Sequence, residues 1–164
     1  MAFIKIYIHL VFSTKNRDPF LNTFDIRLKV WKHIKEYATE KGIFLDMVNG
    51  YSDHCHCLIS LGSDQNIEKI VQLIKGESSH WINKNKLAAG KFSWQDEYFA
   101  VSVSESMVDT VRNYIKNQEK HHQKKALLKS IKNLLKSIIL RCDRFWLKPN
   151  DLCLLFKWAK AHFY

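Results

Sequence analysis

Two short stretches of the sequence carry side chains whose types and spacing suit chemistry on a phosphate. In the first, His54, Cys55, His56 and Cys57 follow one another in a segment that predicts a strand. Because successive strand side chains point to opposite faces, the two histidines share one face and the two cysteines share the other. Two histidines can bind one metal ion together, whereas all four residues cannot. The alternative interpretation is a pair of surface histidines at a strand edge.

The second stretch places Tyr114 and Gln118 four residues apart, hence on one face of a predicted helix. The pair offers a phenolic oxygen beside an amide oxygen. A tyrosine hydroxyl near a divalent ion is a competent nucleophile toward phosphorus, because the ion offsets phosphoryl charge and favours the phenolate. A set with His54, His56 and Gln118 as ligands and Tyr114 as nucleophile is therefore chemically sensible. By itself Tyr114 suits half-buried packing equally well.

The elements that position these side chains are predicted from hydrophobic periodicity. Alternation from Ile4 to Phe12 indicates a first strand, and apolar residues at helical spacing indicate a helix over 23–41. The apolar face predicted for that helix comprises Phe24, Leu28, Trp31, Ile34 and Ala38. Two short apolar runs at 43–48 and 55–61, separated by a turn-rich segment, predict an antiparallel hairpin.

The second half of the chain repeats this alternation of helix and strand. Asn66 is the predicted cap of a helix that ends before residues 88–90, and 98–103 is the fourth strand. Ser106 and Asp109 resemble a capping box that opens a third helix. The order β-α-β-β-α-β-α predicts an α+β fold of the ferredoxin-like or RNA-recognition-like type. Its sheet is antiparallel, and the additional C-terminal helix carries Tyr114.

Charge is distributed unevenly along the 164 residues. Residues 1–119 hold 15 Lys and Arg against 14 Asp and Glu, whereas 120–164 hold 11 basic residues against Asp143 and Asp151. The overall charge of +10 is therefore no argument that the globular part binds nucleic acid. The N-terminal segment has neither an apolar stretch long enough to span a membrane nor the small-residue cleavage site of a signal peptide. We therefore predict a cytoplasmic protein. The four cysteines are expected to be buried thiols and not a disulfide framework.

Several motifs, read together, resemble the single-tyrosine HUH transposases, which include REP-associated tyrosine transposases and small insertion-sequence transposases. The resemblance covers residues 3–125. The resemblance is carried by the histidine pair, His54-Cys55-His56, and by the segment of the nucleophile, Tyr114 to His122. It is also carried by the first strand, His9 to Lys15, and by the region of the second helix and fourth strand, Lys75 to Ser79, Trp94-Gln95 and Tyr98 to Ser104.

The resemblance implies an enzyme that cuts and rejoins single-stranded DNA at hairpin-bearing element ends. Tyr114 would attack the scissile phosphate, form a 5′-phosphotyrosine and leave a free 3′-hydroxyl. Mg²⁺ or Mn²⁺ would be held by His54, His56 and Gln118, with His121 or His122 as an alternative third ligand. The family also implies a homodimer, in which each tyrosine completes the site of its own protomer or of its partner.

DNA contacts are predicted on the second helix and just after it, at Lys75, Lys84 and Lys86. Trp81 or Trp94 could stack on an unpaired base. The alternative is a solvated lysine face with tryptophans in the core.

The sequence predicts a catalytic domain over 1–125 and a basic, apolar tail over 126–164 that does not match the family. A change of reading frame near Lys125 is one explanation for the tail. Two other functions remain open for the domain. One is an inactive or domesticated module that binds a DNA hairpin, and the other is a metal-dependent phosphodiesterase that hydrolyses small nucleotides with activated water.

Overall fold

The computed structural model describes residues 5–123, and their secondary structure follows the predicted order. The elements are β1 (Ile6–Ser13), α1 (Phe24–Glu40), β2 (Phe44–Gly50), β3 (His54–Leu61), α2 (Ile67–Lys84), β4 (Phe99–Val103) and α3 (Val108–Lys116). The four strands form one sheet in the order β2-β3-β1-β4, and all neighbours are antiparallel. This arrangement confirms the predicted ferredoxin-like α+β fold.

The two faces of the sheet have different roles. Leu10 and Phe12 of β1, with Cys55 and Cys57 of β3, face α1 and α2 in the main core. Both thiols are free and wholly buried, as predicted. On the opposite face, Leu58 packs with residues of α3 in a second, smaller cluster. The side chains of His54 and His56 share that second face, because they alternate with the cysteines.

The N-terminal cap of α2 is the predicted one, whereas that of α3 is not. The Asn66 Oδ1 accepts hydrogen bonds from the amides of Glu68 (2.7 Å) and Lys69 (3.4 Å), so Asn66 caps α2 as expected. The predicted capping box of α3 is wrong. A 3-10 turn over Glu105–Met107 precedes α3, and the Ser106 hydroxyl bonds to another serine hydroxyl instead of a helix amide.

The buried face of α1 is rotated from the predicted one. Trp31, Ile34 and Ala38 are buried as expected, but Phe24 and Leu28 are 54% and 50% exposed. Arg27 takes part of their place in the interior. Its guanidinium is held there by an ion pair described below, which a local hydrophobic pattern does not reveal.

Within residues 5–123 no helix has the length and apolar character needed to span a bilayer. The predictions for the tail at 126–164, including Cys142 and Cys153, lie outside the described residues.

Candidate active site

The β2–β3 hairpin places two histidines side by side. The His54 and His56 rings lie 5.0 Å apart between centroids, and each residue is only 6% exposed. The hairpin is tight at Gly50, where the Tyr51 amide donates to the His54 carbonyl at 3.0 Å. A Cβ at Gly50 would collide with that carbonyl oxygen, so the turn that presents His54 requires glycine.

Each histidine has a partner at Nδ1. The His54 Nδ1 donates to Asp53 Oδ1 at 2.6 Å, and the second Asp53 oxygen accepts from Arg17 Nε at 3.3 Å. The His56 Nδ1 lies 3.1 Å from His9 Nε2, which projects from the neighbouring strand β1. The Nδ1 atoms are thus engaged within the protein.

Burial lowers the pKa values of His56 and His9. Burial first, and then the nearby His54, His9 and His122, lower the pKa of His56 to about 3. Burial also lowers the pKa of His9. Burial raises the pKa of Asp53, but the hydrogen bond and charge of His54 and the charge of Arg17 outweigh it, and the net pKa is lowered. A neutral imidazole is the form that binds a metal ion.

Tyr114 reaches the histidines from α3 of the same chain. Its ring meets the His56 ring edge-on, with centroids 5.5 Å apart, and lies 6.2 Å from the His9 ring. Tyr114 is 45% exposed, although its neighbour Ile115 is fully buried. A tyrosine that is anchored in this way yet open to solvent is accessible to a large substrate.

Gln118 contacts the backbone of Tyr114 and has a side-chain oxygen without a hydrogen-bond partner. Its side chain is wholly buried, and its Nε2 donates to the Tyr114 carbonyl at 3.1 Å. Among the described residues, its Oε1 accepts no hydrogen bond. A buried polar atom without a partner costs about 1–3 kcal/mol. The other such atoms among the described residues are Trp31 Nε1 and His33 Nε2, both on α1 and outside this site.

The residues suit a divalent cation with two nitrogen donors and one amide oxygen. Over residues 5–123, no cluster of three or more His, Cys, Asp or Glu side chains is arranged to hold a metal ion. The unsatisfied Gln118 oxygen is one candidate for a third protein ligand, and His122, whose ring lies 4.8 Å from the His54 ring, is another. Nitrogen donors hold Mn²⁺ more readily than Mg²⁺, and substrate phosphate and water would complete either shell.

Two long-range contacts fix the segment that carries Gln118. The Asn49 Nδ2 donates to the carbonyls of Ile115 (2.9 Å) and Lys116 (3.2 Å), where α3 ends. Asn49 is paired in the sheet with His56, so it ties the end of α3 to the histidine strand. One residue beyond Gln118, Glu119 accepts two hydrogen bonds from the buried Arg27, at 2.6 and 3.1 Å.

The alternative ligand residues differ in their positions. The His122 ring stacks on Tyr51 with centroids 4.5 Å apart and lies 4.8 Å from the His54 ring. His121 is exposed, 6.2 Å from the Tyr114 ring. His122 is thus near the histidine pair, whereas His121 lies beside the tyrosine.

The lysines predicted to bind DNA do not join this cluster. Lys75, Lys84 and Lys86 lie on or just after α2, which covers the opposite face of the sheet. Lys75 is half-buried and donates to the Asp96 carbonyl at 2.8 Å. Trp94 is a core residue that donates to Ser78, which excludes it from base stacking.

The sheet face around Tyr114 instead exposes an aromatic residue that the sequence analysis did not single out. Phe99 on β4 is 62% exposed. Val11 pairs with Phe99 on one side and with His56 on the other, so the three residues form one row across the sheet. Phe99 therefore lies two strands from His56 and on the same face.

Sequence reasoning also missed the residues that support the site. His9 was noted only as part of a motif, and Asp53 only as a turn residue before the histidines. A histidine in the otherwise apolar alternation of β1 was the available signal for the first. The contacts of Arg27 with Glu119, 92 positions apart, leave no local signal.

Comparisons with known proteins agree with this fold. A sequence profile of the family described as "Transposase IS200 like" matches residues 2–118. The fold is similar to a crystal structure of a Deinococcus radiodurans R1 protein that carries a transposase designation. That match has a TM-score of 0.58, 24% identity, and coverage of 71% of this chain and 93% of the other.

A second solved structure with a similar fold is a REP-associated tyrosine transposase bound to a REP hairpin. The match has a TM-score of 0.56, 17% identity, and coverage of 74% of this chain and 72% of that one. No protein of curated function matches the chain by sequence.

Proposed function

Because the chain belongs to the IS200-like transposase family, we propose that it cleaves and rejoins single-stranded DNA at hairpin-bearing element ends, with Tyr114 as the nucleophile. The observation that carries this proposal is the placement of an accessible tyrosine against the buried histidine pair, with the unsatisfied amide oxygen of Gln118 four residues further along the chain. Tyr114 contacts His56 of its own chain, the arrangement expected of a site completed within each protomer.

The proposed reaction exchanges one phosphodiester for another. The Tyr114 hydroxyl loses its proton and attacks the scissile phosphorus, the new bond joins the phenolic oxygen to phosphorus, and the bond from phosphorus to the 3′-oxygen breaks. The departing 3′-oxygen takes up a proton and becomes a free hydroxyl. Because the phosphotyrosine conserves the bond energy, attack by another 3′-hydroxyl reverses the step without a nucleotide cofactor.

His54, His56 and Gln118 are the residues that would hold Mg²⁺ or Mn²⁺. When bound, the ion polarises the phosphate and offsets the charge that develops on its oxygens. The protein's own contribution is to aim Tyr114 at the same point, because α3 is tied to β2 through Asn49. Such fixed positioning supplies a large part of the rate of an in-line attack.

Two observations support DNA with unpaired bases as the substrate. A protein with a similar fold is a tyrosine transposase bound to a REP hairpin. In this chain, the exposed Phe99 lies on the face and in the row of His56, where an unpaired base next to the scissile phosphate could stack. Lys75, Lys84 and Lys86 remain a separate prediction for contacts with DNA on the other face.

The proposed function is tested by mixing the protein with labelled single-stranded DNA from the flanks of its own gene and Mn²⁺ or Mg²⁺. We expect an adduct that survives denaturation and that does not form when a chelator is added. If the protein binds the hairpin but forms no adduct with either ion, it is a binding module. Cleavage without an adduct would indicate the metal-dependent phosphodiesterase.

We also propose that the protein is a homodimer joined along β4. This strand is at the edge of the sheet, and four of its five residues are exposed, including Phe99 and Val101. An unpaired, apolar edge strand can pair with the same strand of a second copy. Such pairing uses the backbone and leaves the face of Phe99 available.

A pair of lysines on this edge should disrupt the dimer. In the variant Ala100→Lys with Ser102→Lys, like charges would oppose each other across the two-fold axis and weaken association about tenfold. Light scattering after size exclusion should give a dimer for the wild type and a monomer for the variant. Asn85→Lys, an exposed change outside β4, is the control and should stay dimeric. A monomeric wild type would contradict the proposal.

A further inference from the structure

The Nδ1 contacts of the two histidines determine which nitrogen atoms are open to a ligand. A carboxylate only accepts hydrogen bonds, so the 2.6 Å contact with Asp53 fixes the proton of His54 on Nδ1. In the neutral ring, the form that binds a metal ion, the Nε2 of His54 therefore keeps its lone pair. Asp53 is itself fixed by two contacts. Its backbone carbonyl accepts a hydrogen bond from the Thr14 amide at 2.9 Å, and its other carboxylate oxygen, Oδ2, accepts one from Arg17.

The second contact joins two neutral imidazoles, and only one of them can donate. If His9 donates, His56 carries its proton on Nε2 and has no lone pair there. If His56 donates from Nδ1, its Nε2 is open in the same way as that of His54. Only the second arrangement leaves equivalent atoms of the two adjacent rings available for one ion.

We propose that His9 and Asp53 are positioning residues, which hold His56 and His54 as Nδ1–H tautomers and so present both Nε2 lone pairs to one divalent cation. This inference rests on the proposed function, since it assigns the ligating atoms of that site. His9 acts from β1 and Asp53 from the turn before β3, so the two histidines are supported from different sides. Both supporting residues contact the histidines at Nδ1, away from the proposed ligating atoms.

Mutations separate this role from simple packing. His9→Phe keeps an aromatic ring but removes the acceptor, whereas His9→Gln offers an amide oxygen to the His56 Nδ1–H. Asp53→Asn is nearly isosteric, yet its amide group can donate to His54 Nδ1 and favour the wrong tautomer. His33→Phe is the matched control, because His33 stacks on Trp81 on the other side of the sheet.

The affinity for Mn²⁺, measured by electron paramagnetic resonance without DNA, should fall by about 10- to 100-fold in His9→Phe and in Asp53→Asn. His9→Gln should recover most of the affinity, and His33→Phe should bind like the wild type. Equal affinities of His9→Phe and the wild type, or no recovery in His9→Gln, would overturn the inference.

Long-range proton–nitrogen NMR spectra of the imidazole rings in the metal-free wild type provide an independent readout. We expect His54 and His56 both to be Nδ1–H, and a His56 protonated on Nε2 would refute the inference. The spectra need neither DNA nor metal, so they judge the tautomers even if no DNA adduct forms. Failure of the adduct experiment would count against the proposed function alone.

Discussion

Replacing Tyr114 by phenylalanine should abolish the covalent DNA adduct and lower strand transfer by at least about 10³-fold, the scale seen when an enzyme loses its nucleophile. The substitution removes one oxygen from a side chain that is 45% exposed. The edge-on contact of the ring with His56 does not need the hydroxyl. We therefore expect unchanged thermal stability and Mn²⁺ affinity, measured beside single-turnover cleavage of labelled DNA.

Tyr98→Phe is the matched control for this experiment. Tyr98 is similarly exposed, at 39%, but contacts Lys75 through its ring face and lies away from the histidines. It should form adducts at the wild-type rate. If Tyr114→Phe still cleaves DNA, a metal-activated water must be the nucleophile, and the phosphodiesterase interpretation replaces strand transfer.

Much of the fold was predictable because its signals are local. The period of two in β1, the cap at Asn66 and the turn-rich segment before His54 each depend on residues a few positions apart. The alternation of β3 also predicts that His54 and His56 share a face, and the structure places their rings 5.0 Å apart. The sequence further predicts Gln118 beside Tyr114, and the two residues are hydrogen bonded.

Two differences between the predictions and the structure originate in long-range pairing. Phe24 and Leu28 were expected inside α1, but Arg27 occupies the interior because Glu119, near the end of the described chain, neutralises it. The support of His56 by His9 has the same character, since the two residues meet only after β1 pairs with β3. The sequence predicted the candidate reactive groups, while the groups that contact them became visible only in the fold.

Gln118 offers a second decisive test, because its expected effects on activity and on stability differ. Gln118→Met has a similar volume and removes the unsatisfied buried Oε1, whose burial costs about 1–3 kcal/mol. The change also loses the bond from Nε2 to the Tyr114 carbonyl, worth about 1 kcal/mol. The two effects oppose each other, so the free energy of unfolding should stay unchanged or rise by at most about 2 kcal/mol.

Metal-dependent cleavage by Gln118→Met should nevertheless fall at least about 100-fold, since loss of a ligand should exceed the 10- to 100-fold typical of a supporting residue. Gln65→Met is a control with the reverse expectation, a loss of stability with unchanged metal affinity. Both ends of the Gln65 side chain are hydrogen bonded, with Oε1 accepting from Gly62 and Nε2 donating to Gly42. Loss of these bonds should destabilise the fold by about 1–2 kcal/mol without changing Mn²⁺ affinity.

Wild-type Mn²⁺ affinity in Gln118→Met would instead assign the third ligand to another residue. His122, whose ring lies 4.8 Å from the His54 ring, would be the next residue to replace.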